Sequence, residues 1–175
     1  PTQDAVSMGI NATLRYIDKI DQSKVGLLIF GTESSVDQSK SGSLFVKSAL
    51  KLDPAVRAFE VKEACFGLTA GLMIAQDYGI NTAGEVTQGA WSVSLLVSSN
   101  PRILELNEGH SAYSEDINDF WRPNYSKTAK VDGKYSTQVY LDFFKHTFSD
   151  YKRQKGLETK DFAAIAYHLP FTKMG

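Results

Sequence analysis

VGLLIF (residues 25–30) is the stretch on which the fold turns. Six apolar residues in a row fall far short of the ~20 that a membrane span needs. They have the length of a strand buried on both faces of a sheet. Upstream, Val6, Ile10, Leu14, Ile17 and Ile20 recur at steps of three and four, so residues 3–20 read as an amphipathic helix that Thr2 or Asp4 can cap. Downstream, GTESSVDQSK (31–40) is a polar loop rich in cap formers, feeding a helix that runs to about Leu50 before the break at Pro54. RAFEVK (57–62) alternates as a strand does. CFGLTAGLMIAQDY (65–78) reads as a helix whose first turns are rich in small residues, as required where a helix approaches other backbone closely. Helix and strand in alternation predict a layered α/β fold.

Further along, WSVSLLVS (91–98) and RILELN (102–107) flank Asn100-Pro101 and read as a hairpin. A polar segment (108–134) carries DFWRP and VDGK. Residues 135–156 form a strong helix, with Val139, Phe143 or Phe144, Phe148 and Tyr151 as its apolar stripe, Ser136 as a cap and Gly156 as its end. AAIAYH (163–168) reads as another buried strand. Between the helix ending near Tyr78 and NTAGEVTQG (81–89) the rhythm calls for a strand that the sequence does not display. Gly84, Thr87 and Gly89 read instead as a tight loop offering N–H and hydroxyl donors, or as a turn entering the Trp91 strand.

The chain has 175 residues, 42% hydrophobic and 22% charged, with a formal net charge of −1. That balance is the signature of neither a nucleic-acid binder nor a membrane-surface protein. A single cysteine cannot form an internal disulfide, which fits a reducing compartment, and neither an export signal nor a spanning segment is expected. A cytoplasmic protein is the expectation.

Cys65 is the first candidate for chemistry. A lone thiol is most often a small buried hydrophobe. At a strand-to-helix join, however, it faces unpaired N–H groups and the positive end of the helix dipole, which favour thiolate, and it stands at the carboxyl end of the sheet. His168 ends the apolar run 163–168 and reads, taken alone, as a structural histidine; with Cys65 it makes the pair of strand-end residues from which thiolate sites are assembled. Three histidines and one cysteine, without HExxH or CxxC, give no metal site, and the glycine spacings give no phosphate loop. Asp119, Phe120, Trp121 and Arg122 share a long loop suited to a binding wall, although for Trp121 packing is the favoured use. Ser136, a helix cap, also stands where a carboxylate or carbonyl oxygen can be held.

GTESSVDQSK, FEVKEACFGLTAGL (59–72), NTAGEVTQGA (81–90), DFWRP (119–123), VDGKYS (131–136) and FAAIAYHLPFTKMG (162–175), in this order, resemble the bacterial 3-hydroxy-3-methylglutaryl-CoA synthases from end to end of the chain. The resemblance implies a thiolase-like layered α/β/α fold: residues 1–157 would belong to its N-terminal half and 158–175 would begin its C-terminal half. It implies condensation of acetyl-CoA with acetoacetyl-CoA in the mevalonate route to isoprenoids, in a homodimer using no metal or redox cofactor. Carried over by position, Cys65 matches the nucleophile that accepts the acetyl group and His168 the active-site histidine that holds the acceptor thioester. Thr87 and Ser136 match contacts to the hydroxymethylglutaryl moiety, and Asp119 an acid near the site. Phe120 and Lys173 are further expected substrate contacts, and Arg122, Lys127, Lys130, Lys134 and Lys173 are candidates for the CoA phosphates.

Four departures accompany the resemblance. No acid here matches the family's general acid/base Glu; a strand and an SDIARY-like segment are lacking, with a gap expected near residues 78–79; contacts from the second half are missing after His168; and Phe66 stands where the family usually carries Tyr. The chain is accordingly expected to be part of a longer protein, inactive alone. Two other functions share these residues: a synthase that adds a β-branch to a carrier-protein-bound polyketide, and a non-catalytic scaffold of the same fold. A fatty-acid ketoacyl synthase would pair His with Asn and lack DFWRP.

Overall fold

The computed structural model describes residues 3–33, 35–77, 82–88, 91–100, 102–126 and 128–169. Two compact units divide the chain, Pro1–Leu106 and Asn107–Gly175. In the first, helix α1 (Ala5–Leu14) starts behind Asp4, whose carboxylate accepts from the Ser7 amide at 2.7 Å while the Ser7 hydroxyl oxygen accepts from the Asp4 amide at 2.9 Å. This reciprocal cap satisfies two N–H groups that a helix start otherwise leaves bare. α1 stops before the expected Ile20; Ile17–Lys19 is a separate 3₁₀ turn that still buries Ile17.

Strand β1 (Leu27–Gly31) is buried at every residue, as its unbroken apolar run predicts. It lies between β2 (Arg57–Val61) and β3 (Thr82–Gln88), both parallel to it, and β4 (Trp91–Val97) follows antiparallel to β3. Alternation along β1 sorts its side chains between two layers. Leu28 and Phe30 pack with Val6 of α1 and with Val46 of helix α2 (Gly42–Ala49). Leu27 and Ile29 meet Ala75 of helix α3 (Gly67–Asp77) on the opposite face. Helices thus cover both sides of a sheet whose parallel core requires it.

Three expectations about strands need correction. The strand that the rhythm calls for after α3 is Thr82–Gln88 itself, where the sequence reads as a loop. Its ladder with β1, from Leu27↔Thr82 to Gly31↔Val86, outweighs the poor strand propensity of Gly84. The hairpin is therefore β3–β4. RILELN joins no strand, and Ile103 and Leu104 are 92% and 82% exposed.

In the second unit the short strands β5 (Phe120–Trp121) and β6 (Lys130–Val131) pair antiparallel ahead of helix α4 (Gly133–Lys155). Asp132, and not Ser136, caps α4: its carboxylate accepts from the Tyr135 amide at 3.1 Å. Gly156 ends the helix at φ 66°, the left-handed conformation that glycine adopts without penalty. The third correction concerns residues 163–168, which form no strand. Only β5 and β6 make a ladder among this unit's described residues, so the segment has no sheet to join. It runs back along α4 instead, with Phe162 against Phe148 and Tyr151, Tyr167 against Phe144, and the His168 carbonyl accepting from the Tyr140 hydroxyl at 2.7 Å. Among the described residues no helix is long and apolar enough to cross a membrane.

Candidate active site

The three parallel strands send their carboxyl ends to one edge of the first unit's sheet, at Gly31, Val61 and, one residue past Val86, Thr87. Ligands of open α/β sheets bind at this edge. From Val61 the chain passes through Lys62 and Glu63 into a 3₁₀ turn, Ala64–Phe66, and enters α3 at Gly67. Cys65 lies inside that turn, exposed, two residues ahead of the helix and not on its first turn as expected. Ala64 has φ 39°, a left-handed conformation that costs an L-residue about 1–3 kcal/mol and persists only where the surroundings impose it.

Just beyond this turn, α3 is seated closely on the sheet. A Cβ placed on Gly31 would lie 2.9 Å from the Gly67 carbonyl carbon, and one on Gly71 would lie 3.3 Å from Cγ2 of Ile29. The small residues of the first two turns thus let the helix rest on β1. The polar loop after β1 is fixed to the same edge. The Thr32 amide donates to the Val61 carbonyl at 3.1 Å, and Glu60 Oε2 accepts from the Gly42 amide at 2.5 Å and from Ser35 Oγ at 3.1 Å. Thr87, expected in a tight loop, belongs to the end of β3, opposite Ser92 in register.

Within the second unit, Ser136 Oγ donates to Asp119 Oδ2 at 2.8 Å, and the Asp119 carbonyl accepts from the Asp132 amide at 2.9 Å. These bonds tie the loop bearing Asp119 to the first turn of α4, so two residues predicted separately form one half-buried pair. Phe120 beside them is 53% exposed. The Lys130 ammonium lies 5.9 Å from the Trp121 ring centroid and 5.5 Å from that of Tyr125, within cation–π range. His168 is exposed. Lys127 and Lys173 lie outside the described residues, as does the expected gap near 78–79.

A hollow beside α4, lined by Tyr113, Lys145, His146, Asp150 and Arg153, contains none of the predicted residues. Its hydrogen bond to Glu115 pushes the Tyr113 hydroxyl above the ordinary phenol range, and the Arg153 hydrogen bond holds Asp150 below the ordinary carboxylate value. Among the described residues no three of His, Cys, Asp and Glu gather as a metal site would.

A hydroxymethylglutaryl-CoA synthase of Enterococcus faecalis is 38% identical over 193 residues, a match covering 99% of this chain and 50% of the relative. The chain is homologous to one half of a hydroxymethylglutaryl-CoA synthase. A polyketide-biosynthesis 3-hydroxy-3-methylglutaryl-ACP synthase of Bacillus subtilis, PksG, is 30% identical over 211 residues, covering 99% of this chain and 50% of its own. The solved structure of MvaS in complex with 3-hydroxy-3-methylglutaryl coenzyme A superimposes with a TM-score of 0.87 at 32% identity, over 98% of this chain and 49% of that one. The fold is accordingly the thiolase-like layered α/β fold of these synthases. This chain spans about half the length of the curated synthases it matches. No family model matches it.

Sequence reasoning missed Gly31, Ala64 and Asp132. The small residues after Cys65 carried a signal for the first: a helix built to approach closely needs a partner without a side chain. Asp132-Gly133 carried one for the last, as a cap former ahead of the helical pattern. The strained backbone at Ala64 has no sequence signature, because alanine is an ordinary helix former.

Proposed function

We propose that this chain carries the acyl-accepting cysteine of a hydroxymethylglutaryl-CoA synthase. The observation that carries the reading is the placement of Cys65, exposed in a bent turn at the carboxyl edge of a parallel sheet, in a chain aligned over nearly its whole length with a synthase. In this reading the Cys65 sulfur attacks the thioester carbonyl of acetyl-CoA. The bond to the CoA sulfur breaks, CoA leaves as its thiol, and acetyl-Cys65 remains. Backbone N–H groups around the turn stabilise the developing oxyanion. A general base then takes a proton from the acetyl methyl, and the enolate carbon adds to the C3 ketone of acetoacetyl-CoA, whose oxygen takes up a proton. Water finally hydrolyses the cysteine thioester, releasing 3-hydroxy-3-methylglutaryl-CoA and the thiol. Every step is thioester chemistry, so the reading calls for neither a metal nor a redox cofactor.

His168 would hold the acceptor thioester, and Thr87, Ser136, Asp119, Phe120 and Lys173 the rest of the substrates. The reading also assigns a homodimer, in the cytoplasm, serving the mevalonate route. The test is the intact mass of the full-length protein after brief incubation with acetyl-CoA, beside Cys65→Ala. A gain of one acetyl group in the parent alone is expected; none in a folded parent would overturn the reading. The 30% identity to PksG favours one second reading, with an acetylated carrier protein as donor. Acetylation of Cys65 from such a carrier but not from acetyl-CoA would select it.

A further inference from the structure

We propose that Gly31 is a positioning residue for the Cys65 thiol. Gly31 ends β1, and the first residue of α3, Gly67, is seated directly on it. A Cβ at position 31 would stand 2.9 Å from the Gly67 carbonyl carbon, 3.0 Å from its oxygen and 3.2 Å from the Leu68 nitrogen. All three are backbone atoms at the helix start, so no side chain can swing aside to make room. Carbon atoms rest about 3.5–4.0 Å apart, so a methyl group there drives the start of α3 off the sheet by at least about half an ångström. The opposite side of the contact is more tolerant. A Cβ on Gly67 would lie 3.4 Å from the Val61 carbonyl oxygen and 3.5 Å from the Gly31 Cα, which is ordinary van der Waals contact.

Only Phe66 separates Cys65 from Gly67. The turn holding the thiol is therefore anchored by β2 at one end and by the Gly31–Gly67 contact at the other, with the strained Ala64 between. Displacing the second anchor moves the sulfur relative to the sheet edge while the core below stays packed. In a reaction between positioned groups, a misplacement on the order of 1 Å costs about 100-fold in rate. The inference rests on the reading of Cys65 as an acyl acceptor, and its test separates the two.

The test compares the full-length parent, Gly31→Ala, Gly67→Ala and Gly71→Ala. Position 71 makes its tight contact with Ile29 one helical turn beyond Gly67, and so controls for packing loss away from the thiol. Three quantities are followed: the rate of Cys65 acetylation by acetyl-CoA from intact mass, the rate of its alkylation by iodoacetamide, and Tm. Gly31→Ala is expected to acetylate at least about 10-fold more slowly per folded molecule, with alkylation within about threefold of the parent. Gly71→Ala is expected to lose Tm and keep its acetylation rate. Gly67→Ala, whose methyl is accommodated, is expected to keep both its Tm and its acetylation rate; if Gly31→Ala does not fold, Gly67→Val, whose γ carbons reach beyond that contact, decides the matter by the same slowed acetylation with near-parental alkylation. Equal acetylation rates across the folded variants would overturn the inference. If the folded parent takes up no acetyl group, the functional reading fails and takes the inference with it; a parent that is acetylated no faster than the folded Gly31→Ala variant overturns the inference alone.

Discussion

Removing the carboxylate of Glu60 tests whether the loop after β1 is held by the strand that leads to Cys65. Glu60 lies opposite Phe30 in the β1–β2 register, half-buried, and its Oε2 accepts from the Gly42 amide at 2.5 Å and from Ser35 Oγ at 3.1 Å. Gly42 is the first residue of α2, so the carboxylate supplies an acceptor to one of the N–H groups that a helix start leaves unpaired, and sits at the positive end of the dipole. A hydrogen bond to a charged group contributes about 1.5–3 kcal/mol. The dipole adds about 0.5 kcal/mol. Ser41 Oγ accepts from the Ser43 amide at 3.2 Å and preserves the second cap in any Glu60 variant, so the helix does not unravel. Glu60→Ala is expected to cost about 2–3 kcal/mol, and Glu60→Gln, which keeps an oxygen acceptor without the charge, about 1 kcal/mol. In a chain of this size each 1 kcal/mol lowers Tm by about 2–4 °C. Thermal unfolding followed by circular dichroism at neutral pH reads both. If Glu60→Ala moves Tm by less than 1 °C, or if the glutamine costs as much as the alanine, the carboxylate is not the cap that the geometry describes.

Phe30→Ala empties the centre of the α1–α2 layer, where Phe30 is 0% exposed, and is expected to cost about 3–5 kcal/mol in urea unfolding. Asp4→Ala removes the α1 cap and is expected to cost about 1 kcal/mol at pH 7. The Asp4 carboxyl is held below the ordinary carboxylate range by the Ser7 amide, so its contribution is fully present above that range and is lost as pH falls through the folded value. Parent and variant should therefore converge in stability on acidification below about pH 4; a constant difference from pH 7 to pH 3 would count against the cap. Ser136→Ala leaves Asp119 without its donor and is expected to cost about 1 kcal/mol, and Asp119→Asn, which keeps an acceptor oxygen, less. A double-mutant cycle with additive losses would refute the pair.

The layered fold was legible because β1 has no polar residue to place, and a strand with nothing for solvent can only lie inside a sheet covered on both sides. The helices around it were legible by periodicity, although α1 ends before the expected Ile20. β3 was not, because a strand containing Thr82, Gly84 and Thr87 is made by its neighbours: it has β1 to pair with and no apolar run of its own. Residues 163–168 erred the other way, having the apolar composition of a strand but no ladder in their unit. At the candidate site, Cys65 could be placed from its position between a strand pattern and a helix pattern. The contact that seats its turn could not, since the 2.9 Å that would separate a Cβ on Gly31 from the Gly67 carbonyl carbon involves two stretches of chain that meet only on folding.

The parallel run of β2, β1 and β3 has a consequence for how such a protein can change. The layers that hold the molecule together and the loops that would handle a substrate occupy different atoms, so selection can revise the second without reopening the first. Residues 35–41 and 62–64 can change around Cys65 while Leu28, Ile29 and Phe30 stay as they are. Gly31 belongs to both inventories. A lineage that altered it would have to renegotiate stability and chemistry in one step, which makes this small residue a hinge of inheritance as much as of structure.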